Sequence, residues 1–230
     1  MYKNIQIIKT EDGSHTLYVP ELGEHYHSIH GAVQESLHIF INAGLRYLNN
    51  NSNKINILEI GFGTGLNALL TFMESEKNNQ EINYTSIEAF PLEEEIYQKI
   101  NYSGLFQDKN ISTAFLKMHR VGWNKFENIT KKFALKKIHQ KIEDVIFPKK
   151  EYNLVYFDAF APNVQPNLWI EDIFIKIAKS MKKNGILTTY SAKGKVKRAL
   201  KTSGFTVENI PGPPGKREIT RAILKNKFKI

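Results

Sequence analysis

Residues 57–70 read ILEIGFGTGLNALL: an apolar run ending at Ile60, a turn carrying Gly61, Gly63 and Gly65, and helical apolar spacing from Leu66. Three glycines at alternate positions suit a chain that turns sharply from strand to helix and brings its backbone close to a ligand, because no side chain bars the approach. A dinucleotide-binding turn has the spacing G-x-G-x-x-G. Here the residue three after Gly63 is Leu66 and the spacing is G-x-G-x-G, which favours a nucleoside-type ligand without a pyrophosphate. An ordinary tight strand-to-helix turn needs the same glycines. Glu88, 23 residues beyond Gly65 and at the end of the next apolar run, shifts the balance towards a ligand. A carboxylate at the carboxyl edge of the neighbouring strand is placed to accept both hydroxyls of a ribose.

Around this stretch, short apolar runs alternate with helical patterns, the signature of βα units on a mostly parallel sheet. Strands are expected at 55–60, 84–88, 132–138, 154–157, 186–190 and 206–210, and helices at 66–76, 92–100, 170–181 and 196–203. Gly185 and Gly204 follow two of these helices where a left-handed residue closes them. PGPPG at 211–215 is a rigid turn that returns the chain as a final, antiparallel strand at 218–224. The expected fold is therefore α/β and Rossmann-like, with a seven-stranded, mostly parallel sheet over residues 55–230. Residues 1–54 form an N-terminal extension packed on it, with a hairpin strand in DGSHTLYVP and a helix over 31–48. At 230 residues and 41% hydrophobic content the chain suits one structural unit.

The sequence has no cysteine, which removes disulfides, thiol nucleophiles and cysteine-based metal sites. No segment has a signal peptide's apolar core or a membrane span's length, so a cytoplasmic protein without membrane partners is expected. The net charge is +9, and residues 176–230 hold 15 Lys and Arg against 2 Glu. A polyanion such as RNA suits that asymmetry, as does a lysine-rich composition that merely solvates a surface. His25, His27 and His30 match no standard metal site, so no metal is expected and these read as satisfied or substrate-contacting histidines.

YNLVYFDAFAPNVQPNLW, residues 152–169, ends an apolar run at Asp158 and places the following loop over the crevice where open α/β sheets bind ligands. Its Asp158, Phe160 and Pro162 resemble the loop of methyltransferases that act on amino groups. A carboxylate there accepts hydrogen bonds from an amine while aromatics stack on a base, and it is placed to orient the amine or take its proton. A turn or helix-cap aspartate is the plainer reading. Trp169 fits a stacking platform or the core, and Phe174 fits the core.

DGSHTLYVP, EIGFGTGLN, YTSIEAFPL, FDAFAPNVQPNLW, YSAKGKVKRAL and GPPGKREITRA together resemble the tRNA 5-aminomethyluridine methyltransferase family, comprising the stand-alone MnmD enzymes and the N-terminal half of the bifunctional MnmC enzymes. The resemblance implies S-adenosylmethionine as cofactor, held by Gly61, Phe62, Gly63, Gly65, Asn67, Glu88 and Ala89, with Glu59 placed for the methionine amino group directly or through water. It implies Asp158 facing the acceptor amine beside Phe160, Pro162 and Trp169, and Lys193, Lys197, Arg198, Lys216 and Arg217 on the side of a tRNA anticodon loop. Where bifunctional relatives have Gly-Asp, this chain has Gln140 and Lys141, so adenine recognition shifts to Glu143 or Asp144, which equally fit a solvated helix start. With no second glycine fingerprint before Ile230, no flavin is expected, and the aminomethyl group must arrive ready-made from the enzymes that build it. Two other readings share parts of the pattern: a small-amine methyltransferase or polyamine-synthase-like transferase, and a noncatalytic RNA-binding module.

Overall fold

The computed structural model describes residues 2–48 and 54–225. The chain opens with a three-stranded antiparallel sheet of β1 (Gln6–Lys9), β2 (His15–Val19) and β3 (Glu24–His25). Helix α1 (Ala32–Ser36) runs on into π-helical turns over Leu37–Leu45. These turns press Gly44 onto the sheet, where a Cβ would lie 3.3 Å from Tyr156 and Thr188. Then follow β4 (Lys54–Ile60), α2 (Leu66–Asn78), β5 (Glu81–Glu88), α3 (Glu94–Tyr97), α4 (Tyr102–Leu105), α5 (Lys109–Arg120), β6 (Phe126–Asn128), β7 (Phe133–His139) and β8 (Tyr152–Phe157). The rest is α6 (Glu171–Ser180), β9 (Met181–Thr189), α7 (Gly194–Thr202), β10 (Phe205–Pro211) and β11 (Glu218–Leu224).

The large sheet has the order β10-β11-β9-β8-β4-β5-β7-β6. Strands β4, β5, β7, β8 and β9 pair in parallel, and β11 lies antiparallel between β9 and β10. Side-chain alternation divides the core between the two faces. Ile57, Tyr84, Leu154 and Tyr156 face α2, α5 and the N-terminal segment, while Leu58, Val155, Phe157 and Leu187 face α6 and α7. Leu17, Ala32, Ile39 and Phe40 of the N-terminal segment share the first of these cores.

The mixed α/β architecture agrees with the sequence reading, with several differences. The sheet has eight strands, because β6 adds an antiparallel edge to β7. Its three residues, with Phe126 exposed, carry no periodic signal. Helix α5 also escaped the reading. The helix expected at 92–100 is reduced to α3, because the chain must turn at Asn101, whose side chain accepts from His15 N and donates to Gly13 O, each at 2.9 Å. Finally, Asn184 takes the left-handed conformation expected of Gly185, with φ 62°. Gly185 is required for a different reason: a Cβ there would lie 2.9 Å from Lys182 O. Lys227 and Lys229, counted in the basic segment, lie outside the described residues, as do residues 49–53 beside the expected boundary.

His27 links the N-terminal segment to the glycine turn. Its ring Nε2 lies 2.8 Å from Thr64 Oγ1, its backbone N–H donates to Thr16 Oγ1, and burial pushes its imidazole down to about 4. A histidine held neutral in the fold binds its proton more readily when unfolded, so its contribution to stability is lost as pH falls from about 6.5 through 4. We therefore expect the Tm difference between His27→Gln and the unmodified chain to move in the variant's favour as pH is lowered across that window. A difference independent of pH would contradict a buried neutral His27.

Candidate active site

The direction of strand progression reverses between β4 and β8, whose carboxyl ends lie side by side. Asp158 N donates to Ile60 O at 3.0 Å, and the next residue, Gly61, has φ 94°. A Cβ on Gly61 would lie 2.5 Å from the Asp158 carbonyl oxygen. The glycine turn and the loop bearing Asp158 are thus pressed together backbone to backbone. A cleft of about 700 Å³ opens over this junction. The turn, the end of β5 and the loop after β8 form its walls, and residues 24–30 of the N-terminal segment close it from above.

Glu88 stands at the end of β5, where Oε2 accepts from Gly63 N at 2.9 Å and Oε1 from Phe90 N at 2.8 Å. Burial raises its carboxyl, opposed by these backbone N–H groups. Each oxygen keeps a further lone pair, so bidentate acceptance from a diol remains open. Across the cleft, Asp158 Oδ2 accepts from Asn67 Nδ2 at 2.8 Å. Burial pushes the Asp158 carboxyl up to about 7; the Asn67 hydrogen bond opposes this, Glu35 adds to it and Lys216 opposes it. A carboxyl titrating near neutrality is suited to accepting a proton and releasing it again. Tyr26 and Phe160 meet edge to face at 5.0 Å beside it.

Gly61, Phe62, Gly63, Asn67, Glu88, Ala89, Glu143, Asp158, Phe160 and Lys216 all line this cleft. Other residues singled out from the sequence lie elsewhere. Glu59 is fully buried beneath it and accepts from Ser86 Oγ at 2.6 Å. Gly65, with φ 74°, starts α2 against His119 on the far side of the turn. Trp169 is core rather than platform: it is 0% exposed, packs on Phe157 at 4.7 Å, and donates from Nε1 to Phe160 O at 2.9 Å. Pro162 stands outside the cleft, and Asp144 borders a separate depression with Phe147 and Lys176.

The basic strip is also divided. Lys197 pairs with Glu218 at 2.7 Å. Lys216 faces the cleft, pairs with Glu35 at 3.3 Å and lies 5.1 Å over the Tyr190 ring. Lys193, Arg198 and Arg217 remain exposed. The three histidines go to separate partners: His27 to Thr64, His30 to Glu11 at 2.9 Å, and His25 against Tyr18. Sequence reasoning missed Tyr26, Glu35 and Tyr190. Glu35 sits in a helical run whose apolar positions alone carried the signal. In fact it is 8% exposed and accepts from Ser28 N at 2.7 Å.

An open, mostly parallel sheet with its penultimate edge strand antiparallel, a glycine turn at the point of reversal and a carboxylate closing the next strand define a class I methyltransferase-type protein. The chain belongs to the family described as S-adenosyl-L-methionine-dependent methyltransferase, which matches residues 105–225. It is 30% identical over 175 residues to the tRNA 5-methylaminomethyl-2-thiouridine biosynthesis bifunctional protein MnmC of Campylobacter hominis, covering 74% of this chain and 26% of that protein. The MnmC protein of Legionella pneumophila is 30% identical over 238 residues, covering 92% of this chain and 35% of the relative. The chain thus spans about a quarter to a third of these curated relatives. Among solved structures it is similar to MNMC2 from Aquifex aeolicus, with a TM-score of 0.79 and 29% identity over 97% of this chain and 72% of that one. A spermidine synthase from Thermotoga maritima, at TM-score 0.59 and 14% identity, shares the fold. No helix among the described residues is long and apolar enough to cross a membrane.

The residues in the cleft fit a nucleoside carrying an amino-acid tail. The glycine turn presents bare backbone to the cleft, and Glu88 beside it offers acceptors for a ribose. We expect Gly61→Ala to cost about 3 kcal/mol or more through strained φ and collision with the Asp158 carbonyl, and to abolish S-adenosylmethionine binding. Gly104→Ala, with nothing within 4 Å of its Cβ, should leave both unchanged. Thermal unfolding and titration calorimetry check the pair.

Proposed function

We propose that this protein methylates the amino group of 5-aminomethyl-uridine, or of its 2-thio form, at the tRNA wobble position, giving the 5-methylaminomethyl nucleoside. The observation that carries this reading is the Asp158 carboxyl, tied to Asn67 and opening onto the same cleft as the glycine turn and Glu88. The likeness to proteins named for 5-methylaminomethyl-2-thiouridine biosynthesis supports the choice of acceptor.

In this reading Gly61, Phe62, Gly63, Asn67, Glu88 and Ala89 hold the cofactor, and Glu143, on the cleft wall, reads the adenine. Bound S-adenosylmethionine supplies an electrophilic methyl group on a sulfonium sulfur. Only an amine with a free lone pair attacks such a centre, so the protein's task is to align the amine and receive its proton. The Asp158 carboxylate accepts that proton from the substrate ammonium. Phe160 and Tyr26 frame a slot for a planar base, and Trp169 braces the loop from behind. An anticodon-loop base is already unpaired and costs little to turn into a pocket, while Lys193, Arg198 and Arg217 face the phosphates. The methylation acts on an aminomethyl group already formed, which couples this step in the cytoplasm to the enzymes that make that group.

Incubation with radiolabelled S-adenosylmethionine and tRNA from cells lacking the modification, followed by digestion, tests the reading. Label should appear in 5-methylaminomethyl-uridine or its 2-thio form. Cofactor binding without label in RNA would instead favour a small-amine acceptor. Asp158→Ala should keep cofactor affinity within about threefold and lose about a hundredfold or more in turnover. Because the reaction needs the ionised carboxyl, wild-type turnover should fall as pH is lowered through about 7. Equal losses of binding and turnover would remove Asp158 from this role.

A further inference from the structure

Beneath the cleft, one face of the sheet carries an unusual polar group. Glu59 on β4 is paired in register with Ser86 on β5 and Tyr156 on β8, so its side chain rises between them towards Asn67 and Thr71 of α2. All of these are buried, with Glu59, Ser86, Tyr84, Tyr156 and Thr71 at 0% and Asn67 at 3% exposure. Glu59 Oε2 accepts from Ser86 Oγ, and Asn67 Nδ2 donates to Asp158 Oδ2. The other ends of both groups, Glu59 Oε1 and Asn67 Oδ1, are buried without partners, as is the Tyr84 hydroxyl. Tyr84 and Asn67 are close enough to the Glu59 carboxyl to lower it against the effect of burial.

The Tyr84 hydroxyl can donate to one of these two acceptors, and the other, stranded in a dry interior, costs about 1–3 kcal/mol for want of one more donor. A single proton on Glu59 Oε1 supplies it. We infer that Glu59 is a protonated positioning residue: its carboxyl donates to Asn67 Oδ1, which fixes the amide so that Nδ2 points at Asp158 and holds that side chain towards the acceptor amine as a carboxylate. The inference rests on the role given to Asp158 above. Burial pushes the Glu59 carboxyl up to about 8; Ser86 opposes this, the neighbouring Asp158 charge adds to it, and Tyr84 and Asn67 oppose it, so the proton is retained at neutral pH. With the amide reversed, Nδ2 would meet Glu59 and Oδ1 would require the proton to sit on Asp158. The two orientations therefore place the proton on opposite carboxyls, and only one leaves Asp158 ready to receive another.

Infrared difference spectra of the unliganded protein at pH 7 read that proton directly. Most of the C=O stretch of protonated buried carboxyls should be lost in Glu59→Gln, leaving only the share of Asp158, which titrates near 7, and most of it should remain in Asp158→Asn. Loss in Asp158→Asn with persistence in Glu59→Gln, or absence of the band from wild type, would overturn the inference. Kinetics give the second arm. Glu59→Gln, whose amide donates as the protonated acid does, should keep kcat within about threefold, whereas Glu59→Leu, which frees the Asn67 amide, should lose about tenfold or more. If both variants lose cofactor affinity and kcat together, Glu59 is a cofactor contact and the inference fails. Full turnover in Asp158→Asn would strike the role of Asp158 itself, while the spectra would still show where the proton resides.

Discussion

The contact between Gly61 and the carbonyl of Asp158 governs the rest of the structure. At the reversal point of the sheet, two strand ends that leave in opposite directions approach so closely that even one methyl group on Gly61 would stand 2.5 Å from the facing oxygen. That approach places a cofactor-type turn and a carboxylate on opposite lips of one cleft without any side chain between them. Gly63 and Glu88 extend the arrangement sideways: the turn is tight enough for its N–H to be captured by a carboxylate from the neighbouring strand. The cleft is therefore a property of backbone geometry first and of its lining residues second.

The same geometry explains why acidic groups near the cleft titrate so unusually. Strand ends at a switch point are covered by loops from both sides, and here the N-terminal segment covers them again. Glu59 is fully buried and Asp158 largely so, and the cation that acts on Asp158, Lys216, is already paired with Glu35. Burial outweighs the available hydrogen bonds at both residues. A site that holds several carboxyls near neutrality has a standing preference for a cation that can enter and complete the charge balance. A primary ammonium is such a group.

What could be read from the sequence follows from what periodicity and glycine report. The glycine turn, Glu88 and the run ending at Asp158 are local signals, and strand ends one after another along the chain imply a common edge once the sheet is known to be parallel. Long-range packing left no such trace. Asn101 ends α3 early because it binds His15 and Gly13, some 86 to 88 positions away. Tyr26 and Glu35 join the cleft through an N-terminal segment whose pattern resembles plain packing. Trp169 looked like a platform in the motif, yet the loop folds it inward so that its indole N–H holds Phe160. Glu59 was legible as an acidic residue beside the turn, but strand alternation decides which way it points, and it points under the cleft.

Charge distribution then separates two tasks that would otherwise conflict. A uniformly basic protein would attract RNA and repel an ammonium group; a uniformly acidic one would do the reverse. In this chain Lys197 and Lys216 are paired with Glu218 and Glu35, which offsets the positive charge that Lys216 brings to the cleft. Lys193 at the start of α7, Arg198 on it and Arg217 before β11 stay exposed, where the phosphate contacts proposed above would add affinity without reaching the buried carboxyls. An acceptor that is itself a polyanion carrying one local cation satisfies both regions at once. A free polyamine satisfies only the acidic interior and meets the basic rim on its way in.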